Sequence, residues 1–114
     1  MPPIVFFPFT FPGCEALRRV HCAFTTRRGG ASRPPFAEAN LSYDVGDDPA
    51  AVADNRRTLA RRLGVNAWCE CRQVHGDLVH IDPAPQTPET LATLEGDGVA
   101  PARPGAALAI KTAD

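Results

Sequence analysis

Alternating apolar and polar positions predict short β-strands in the first part of the chain. In "RRVHCAFTTRRGG", Val20, Cys22 and Phe24 fall on one face of an extended segment that ends in a Gly-Gly turn at residues 29–30. The apolar N-terminus "MPPIVFFPFTFPG" predicts another short β segment. Its prolines interrupt any helix and it lacks a positively charged leader, so a signal peptide or membrane span is not expected.

Helical spacing is clearest in "DPAAVADNRRTLARRLGV". Asp48 is a suitable N-cap, Pro49 takes the first helical position, and Gly64 can close the helix. The apolar positions share one stripe, which predicts the face that packs on the core: Val52, Ala53, Leu59, Ala60 and Leu63. Four arginines on this helix are interpreted as a solvated face: Arg56, Arg57, Arg61 and Arg62.

The part of the chain after the helix predicts further short strands. If "WCECRQVHGDLVH" is extended, Cys69, Cys71, Gln73 and His75 point to one face until the chain breaks at Gly76. More strands are expected in "DLVHID", near Val99 and in "AALAIKTA". The order β-β-α-β-β-(β)-β indicates an α/β or α+β fold. Because the last strand runs to Asp114 with no turn or cap after it, we expect a longer parent chain.

Composition limits the classes of function. The chain has 114 residues and 44% apolar residues, which fits one domain with a packed core. A net charge of −1 argues against a nucleic-acid binder held by bulk electrostatics. Without a secretion signal, the four cysteines are expected to be reduced thiols in a cytoplasmic protein.

The spacing of Cys69, Cys71 and His75 raises the question of a local metal site. Alternate positions on a strand lie roughly 6.5–7 Å apart, whereas zinc ligands lie about 2.0–2.3 Å from the metal. Three residues along one straight strand therefore cannot converge on one ion. We interpret both cysteines as small buried packing residues, and the same interpretation is the default for Cys14 and Cys22.

Two other stretches could carry chemistry. A histidine at a strand end, such as His75, is more often structural than a ligand, although it can face an opening. In "TTRRGG", an arginine fork and flanking glycines could hold an anion, but an ordinary turn with solvated arginines explains the pattern as well. Asn40 and Ser42 in "NLS" and Asp97 in "GDG" are ambiguous between turn formation and a site.

Taken together, the order "FTTRRGGAS…NLSYDVGDD…NRRTLARRLG…QVHGDLV…GDGV…PGAALAIKTAD" closely resembles the laccase-domain family, also called YfiH-like or polyphenol oxidase-like proteins. The resemblance runs from about Val20 to the last residue. It implies an α+β fold with mixed β-sheets and flanking helices in a four-layer αββα-type sandwich. Residues 1–114 would then be the N-terminal part of a single domain of this kind.

The resemblance also implies an activity and a metal. Family members act on purine nucleosides, by phosphorolysis of adenosine or inosine and by deamination of adenosine. Their metal, zinc or alternatively copper, uses the histidine of "QVHG", a cysteine that follows "TAD", and a histidine of a later "HAGWRG". Of these three ligands only the first is present in this chain, as His75. We therefore expect the isolated chain to be inactive and the parent protein to be the enzyme.

Further roles follow for the parent protein. Arg27 is the candidate phosphate ligand, with backbone room at Gly29 and Gly30, and Asn40 and Gln73 are candidate polar contacts. Purine nucleosides and phosphate would be the partners, without nucleic acid or membrane. Three alternatives stay open: a copper-dependent polyphenol oxidase, a cysteine hydrolase on the same fold, and a non-enzymatic fragment. The first would need more histidines than the three present.

Overall fold

A computed structural model describes residues 2–112 of the chain. One α-helix is accompanied by six short strands in the predicted order: β1 (Phe6–Phe9), β2 (Cys22–Thr25), α1 (Pro49–Leu63), β3 (Ala67–Cys69), β4 (Val79–Ile81), β5 (Gly98–Ala100) and β6 (Ala106–Leu108). Two 3-10 turns cover Glu15–Leu17 and Tyr43–Val45. The predicted last strand is shorter than expected, and its final residues, 113 and 114, lie outside the described part.

The strands pair into three two-stranded sheets. β1 and β2 are antiparallel, with Phe7 opposite Phe24. β3 pairs with β6 and β4 pairs with β5, both in parallel. Parallel and antiparallel strand pairs beside a helix confirm the predicted α+β class. Each two-stranded sheet is purely parallel or purely antiparallel, and residues 2–112 do not form a complete four-layer sandwich. No helix in the described range is long and apolar enough to cross a membrane.

Both ends of α1 are where the sequence predicts them. The Asp48 carboxylate accepts a hydrogen bond from the Ala50 N–H at 3.1 Å, and Pro49 opens the helix. Gly64 ends it in the left-handed region at φ 74°, where its N–H reaches the carbonyls of Ala60 and Arg61. Because glycine carries no Cβ, it adopts this conformation without steric cost.

The inner face of α1 packs on the N-terminal segment and on β3. The core cluster consists of buried residues from these three parts and from the loop before the helix: Ile4, Ala39, Leu59, Ala60 and Trp68. Leu63 packs against its edge and is only partly buried. The predicted apolar stripe is therefore the core face, and Val52 is fully buried on it.

The prediction of one extended strand through Cys69, Cys71, Gln73 and His75 is wrong. β3 ends at Cys69, whose carbonyl accepts from the Ala109 N–H at 3.0 Å beside β6. Three residues later the backbone has changed partner, because the Arg72 N–H donates to the Leu94 carbonyl at 2.8 Å. A chain that pairs first with one segment and then with another cannot keep one straight side-chain face.

The interpretation of all four helix arginines as solvated is wrong for Arg56. This side chain is buried and forms a two-pronged ion pair with Glu70, with Nη1–Oε1 and Nη2–Oε2 distances of 2.6 and 3.2 Å. Its Nε donates to the Leu41 carbonyl at 2.7 Å, and its guanidinium lies 4.8 Å from the centre of the Tyr43 ring. Arg57, Arg61 and Arg62 are exposed as predicted.

We expect Arg56→Ala to lower the free energy of unfolding by about 3–5 kcal/mol, because the substitution leaves the Glu70 carboxylate buried and uncompensated. Arg57→Ala is the matched control on the same helix. Its exposed pair with Asp54 predicts a loss below about 1 kcal/mol. Urea denaturation of both variants measures the difference. Equal losses in the two variants would show that the buried pair does not stabilise the fold in this way.

Candidate functional site

His75 lies in a tight turn between β3 and β4, with its side chain exposed. Its φ of 59° places it in the left-handed region, which costs a non-glycine residue about 1–2 kcal/mol. The turn therefore needs an external stabilising contact, and Asp97 supplies one.

The Asp97 carboxylate accepts hydrogen bonds from three successive backbone N–H groups of this turn. The Gly76 N–H lies 2.7 Å from Oδ2, the His75 N–H lies 3.0 Å from Oδ1, and the Val74 N–H lies 3.1 and 3.3 Å from the two oxygens. The Gly76 N–H first, and then those of His75 and Val74, lower the pKa of Asp97 below its usual range. The carboxylate is thus ionised at neutral pH and holds the turn as an anion.

The two glycines of "GDG" bring Asp97 close to the turn. A Cβ on Gly96 would lie 2.8 Å from the His80 ring, and one on Gly98 would lie 2.8 Å from a Val79 methyl. The N–H groups of Asp97 and Gly98 both donate to the Leu78 carbonyl, at 3.1 and 3.2 Å. The close approach of this segment to β4 therefore fixes where the carboxylate stands.

Gln73 connects the approach to the His75 turn with the segment after β6. Its Oε1 accepts a hydrogen bond from the Lys111 backbone N–H at 3.0 Å. The Lys111 ammonium lies 2.6 Å from Asp44 Oδ2 and 3.7 Å from Glu70 Oε2. Gln73, predicted as a substrate contact, is thus already used in part to hold the chain that follows β6.

The "TTRRGG" segment is folded against the protein rather than open. The Gly29 N–H donates to Glu38 Oε2 at 2.9 Å, and the Gly30 N–H donates to the Pro2 carbonyl at 2.9 Å. A Cβ on Gly29 would lie 1.9 Å from the Pro3 carbonyl oxygen, so this glycine allows the N-terminal segment to pack closely. Arg27 is exposed, so among the residues of the predicted anion site its side chain is the one open to solvent.

A fully buried asparagine, Asn55, collects hydrogen bonds from the segments around "TTRRGGAS" and "NLS". Its Oδ1 accepts from the Ala31 N–H at 2.7 Å. Its Nδ2 donates to Ser32 Oγ and to the carbonyls of Glu38 and Asn40, at 2.9, 3.2 and 2.8 Å. These motifs therefore form one structural centre at the helix.

Asn40 belongs to the rim of this centre. Its Nδ2 lies 3.1 Å from the Ser42 carbonyl and 3.1 Å from Asp47 Oδ2, and its Oδ1 accepts from the Ser42 N–H at 3.1 Å. Asp47 also accepts from Ser32 Oγ at 2.6 Å. The side-chain amide of Asn40 thus makes local structural contacts on both of its ends, which does not by itself test its predicted contact with substrate.

The candidate residues divide into two groups. His75, Gln73 and Asp97 share the region between β3 and β5, whereas Gly30 and Asn40 lie against Asn55 and Gly29 precedes Gly30 in the same turn. Across the described range, no hydrogen bond or ion pair directly joins one of the first three to one of the second three. The buried pair between Arg56, next to Asn55, and Glu70, five residues before His75, is one link between the two regions. Lys111 provides another, since its backbone N–H donates to Gln73 and its ammonium pairs with Asp44.

Sequence reasoning missed Asn55 and Glu70. A signal for the first was present, since Asn55 stands three residues after Val52 and four before Leu59, which places it on the apolar stripe. A polar residue on such a stripe is buried and must find hydrogen-bond partners. Glu70 had no comparable signal, because its burial depends on where β3 ends and on the distant Arg56.

All four cysteines lie in the described range and are free thiols. Cys69 and Cys71 are buried, and burial raises the pKa of both thiols, so they are neutral packing residues as predicted. The same default is wrong for Cys14, which is exposed in the β1–β2 connection, directly before the 3-10 turn Glu15–Leu17. Cys22 is half-buried.

Residues 2–112 do not make a metal site by themselves. Nowhere in this range do three or more histidine, cysteine, aspartate or glutamate side chains come together so as to hold an ion. His75 is the one candidate ligand that the sequence places here, and the oxygens of its neighbour Asp97 are engaged by backbone N–H groups.

A sequence model of the family described as "Multi-copper polyphenol oxidoreductase laccase" matches residues 21–114. The chain belongs to this family. The match begins one residue after the start of the resemblance noted from the motifs and covers both regions described above.

Relatives in the family carry the name purine nucleoside phosphorylase. The chain is 46% identical over 98 residues to such a protein of Mycobacterium tuberculosis, covering 84% of this chain and 38% of the relative. It is 45% identical over 111 residues to one of Deinococcus radiodurans, covering 92% of this chain and 41% of the relative. The chain thus spans about two fifths of the length of these relatives.

Solved structures agree with the fold of this laccase-family chain. Bacillus licheniformis hypothetical protein YfiH matches with a TM-score of 0.55 and 30% identity, over 71% of this chain and 28% of that one. Neisseria meningitidis protein NMB0706 matches with a TM-score of 0.57 and 30% identity, over 68% and 30%. The YfiH-like α+β fold implied by the motifs is therefore confirmed.

Proposed function

We propose that a protein containing this segment is a purine nucleoside phosphorylase acting on adenosine- or inosine-type nucleosides. The observation that carries the proposal is the 45% identity, over 92% of the chain, to a protein of that name. In this reaction a phosphate oxygen attacks C1′ of the ribose and the C1′–N9 bond breaks. The purine base leaves with the bonding electrons and takes up a proton, and ribose 1-phosphate is the other product.

His75 is the group that this segment contributes to the reaction centre. Its exposed imidazole stands on a turn that is already fixed by the protein, which supports a role that needs defined placement. An imidazole near neutral pH can hold or move a proton, and it is also a common metal ligand. Gln73 and Asn40 are proposed to contact the nucleoside through donor and acceptor positions that their structural hydrogen bonds do not use.

Arg27 is proposed to bind the phosphate. Its exposed guanidinium offers a planar fork of donors matched to phosphate oxygens. Gly29 and Gly30 are proposed to contribute room for the approach of the anion rather than N–H donors, because their N–H groups already donate to Glu38 and Pro2.

A metal is part of the proposal only through His75. Zinc, or alternatively copper, would be bound there together with the cysteine and the second histidine that the resemblance implies beyond Asp114. The described residues alone do not hold such an ion, so we assign no chemical step to it. Deamination of adenosine, in which water adds at C6 and ammonia leaves, is proposed as a second activity of the same site. We propose that the protein works in the cytoplasm.

Apolar surface supports the view that this segment works within a longer protein. Ile81 on β4 is 75% exposed and Ile110 after β6 is 70% exposed. Both lie at parallel two-stranded sheets, an arrangement that natural proteins cover on both faces. We propose that a chain of the relatives' length covers these residues and completes the site.

Copper-dependent oxidation of phenols is the second candidate function, because the family is described as a multi-copper polyphenol oxidoreductase. A blue-copper centre uses two histidines and a cysteine, and further copper ions need more histidines. The chain has three histidines, and one of them, His80, already contacts the Glu95 carbonyl at 2.7 Å. This composition favours the phosphorylase over the oxidase.

The two functions are separated by one assay on a full-length protein that contains this segment. Inosine with phosphate is expected to yield hypoxanthine and ribose 1-phosphate in equal amounts, with no turnover when phosphate is omitted. A phenol with oxygen, assayed with the same preparation and its measured metal content, is expected to react far more slowly. Phenol oxidation without phosphate-dependent cleavage of inosine would overturn the proposed function.

Arg27→Ala in the full-length protein is expected to raise the KM for phosphate about tenfold or more, because a charge-assisted hydrogen-bonded pair contributes roughly 1.5–3 kcal/mol. The exposed helix residue Arg61, changed to alanine, is the control for loss of one positive charge. Steady-state kinetics with phosphate as the varied substrate measures both variants. An unchanged KM in Arg27→Ala would remove this residue from the phosphate site.

A further inference from the structure

We propose that Asp97 is a positioning residue that fixes the His75 turn and so sets the place of the imidazole in the reaction. The inference rests on the proposed role of His75 and concerns a residue beyond the next strand, β4, directly before β5. Its basis is the convergence of three successive N–H groups on one carboxylate, at distances of 2.7 to 3.3 Å.

The backbone shape of the turn explains why a carboxylate is needed. Successive N–H groups point to one spot when neighbouring residues differ in handedness, and such a concavity binds an anion. His75 is the left-handed residue of this turn, at φ 59°. Without an anion, the positive ends of three N–H dipoles would converge and repel one another. The left-handed conformation of His75 would then lose the hydrogen bonds that stabilise it.

The hydrogen bonds also distinguish positioning from catalysis. Oδ1 accepts from Val74 and His75, and Oδ2 accepts from Val74 and Gly76. Three N–H groups thus engage both oxygens of the carboxylate, with the Val74 N–H shared between them. Asp97 therefore acts on the reaction through His75 and does not itself bind substrate or metal.

The support behind Asp97 is rigid enough for this role. Asp97 lies at the end of the loop that joins the parallel strands β4 and β5. The N–H groups of Asp97 and Gly98 both donate to the Leu78 carbonyl. Gly96 is buried, with no room for a side chain beside His80. A residue held in this way transmits the geometry of the sheet to the turn.

Two substitutions of Asp97 and one control test the proposal in the full-length protein. Asp97→Ala removes all four contacts, whereas Asp97→Asn keeps one acceptor oxygen and replaces the other by a donor that opposes an N–H group. Asp77→Asn is the matched control, since it removes one negative charge beside the same turn. The Asp77 side chain is exposed, and within residues 2–112 it accepts no hydrogen bond.

Amide hydrogen exchange of residues 74–76 is measured first. We expect about tenfold or faster exchange in Asp97→Ala, an intermediate rate in Asp97→Asn and an unchanged rate in Asp77→Asn. Unchanged exchange in Asp97→Ala would overturn the proposal. Since this measurement needs no substrate, it decides whether Asp97 holds the turn even if the proposed phosphorylase activity proves absent.

Kinetics then separate positioning from general stability. We expect kcat for inosine phosphorolysis to fall by about 100-fold in Asp97→Ala, because a displacement near 1 Å can cost that much, while the KM for phosphate stays within about twofold. Asp97→Asn is expected between this variant and wild type. Equal loss in Asp77→Asn, or a kcat that is unchanged while exchange is fast, would overturn the role in catalysis.

Discussion

The buried ion pair between Arg56 and Glu70 is the interaction on which the arrangement of this chain depends. Only 3% and 4% of the two side chains are exposed, so water solvates neither charge and each depends on the other. Such a pair gains little over an apolar contact but is costly to break. It joins the helix to the chain that leaves β3, and the Arg56 guanidinium also holds the carbonyls of Leu41 and Pro88. The course of the chain toward His75 starts from this fixed point.

Two adjacent helix residues divide the molecule into a structural centre and a candidate reaction centre. Asn55 gathers the loops at Ala31, Ser32 and Asn40, whereas Arg56 reaches the chain before the His75 turn. The motifs that look most like a binding loop are thus largely used for folding. His75, which the sequence pattern places on a strand, lies instead in a surface turn that the Asp97 carboxylate stabilises. A ligand can reach its side chain there.

Much of the fold follows from local patterns, and much of the site does not. The caps of α1 at Asp48 and Gly64 and the order of the strands depend on neighbouring residues, so the sequence predicts them. The burial of Arg56 depends on Glu70, 14 residues away along the chain. The end of β3 depends on the change of backbone partner from Ala109 to Leu94, which is also distant in sequence. The turn at His75 depends on Asp97, 22 residues away. Contacts of that separation leave no periodic signal, which is why an extended strand was the natural but wrong expectation.

We propose that His75, presented on a preformed turn, is essential for phosphorolysis of purine nucleosides. The most direct measurement compares His75→Ala with His21→Ala in a full-length protein containing this segment. His21 is an exposed histidine immediately before β2. Phosphate-dependent cleavage of inosine should fall by at least about 100-fold in the first variant, a loss typical of a removed acid–base group, and stay near wild type in the second. Full activity in His75→Ala, with the fold intact, would contradict the account.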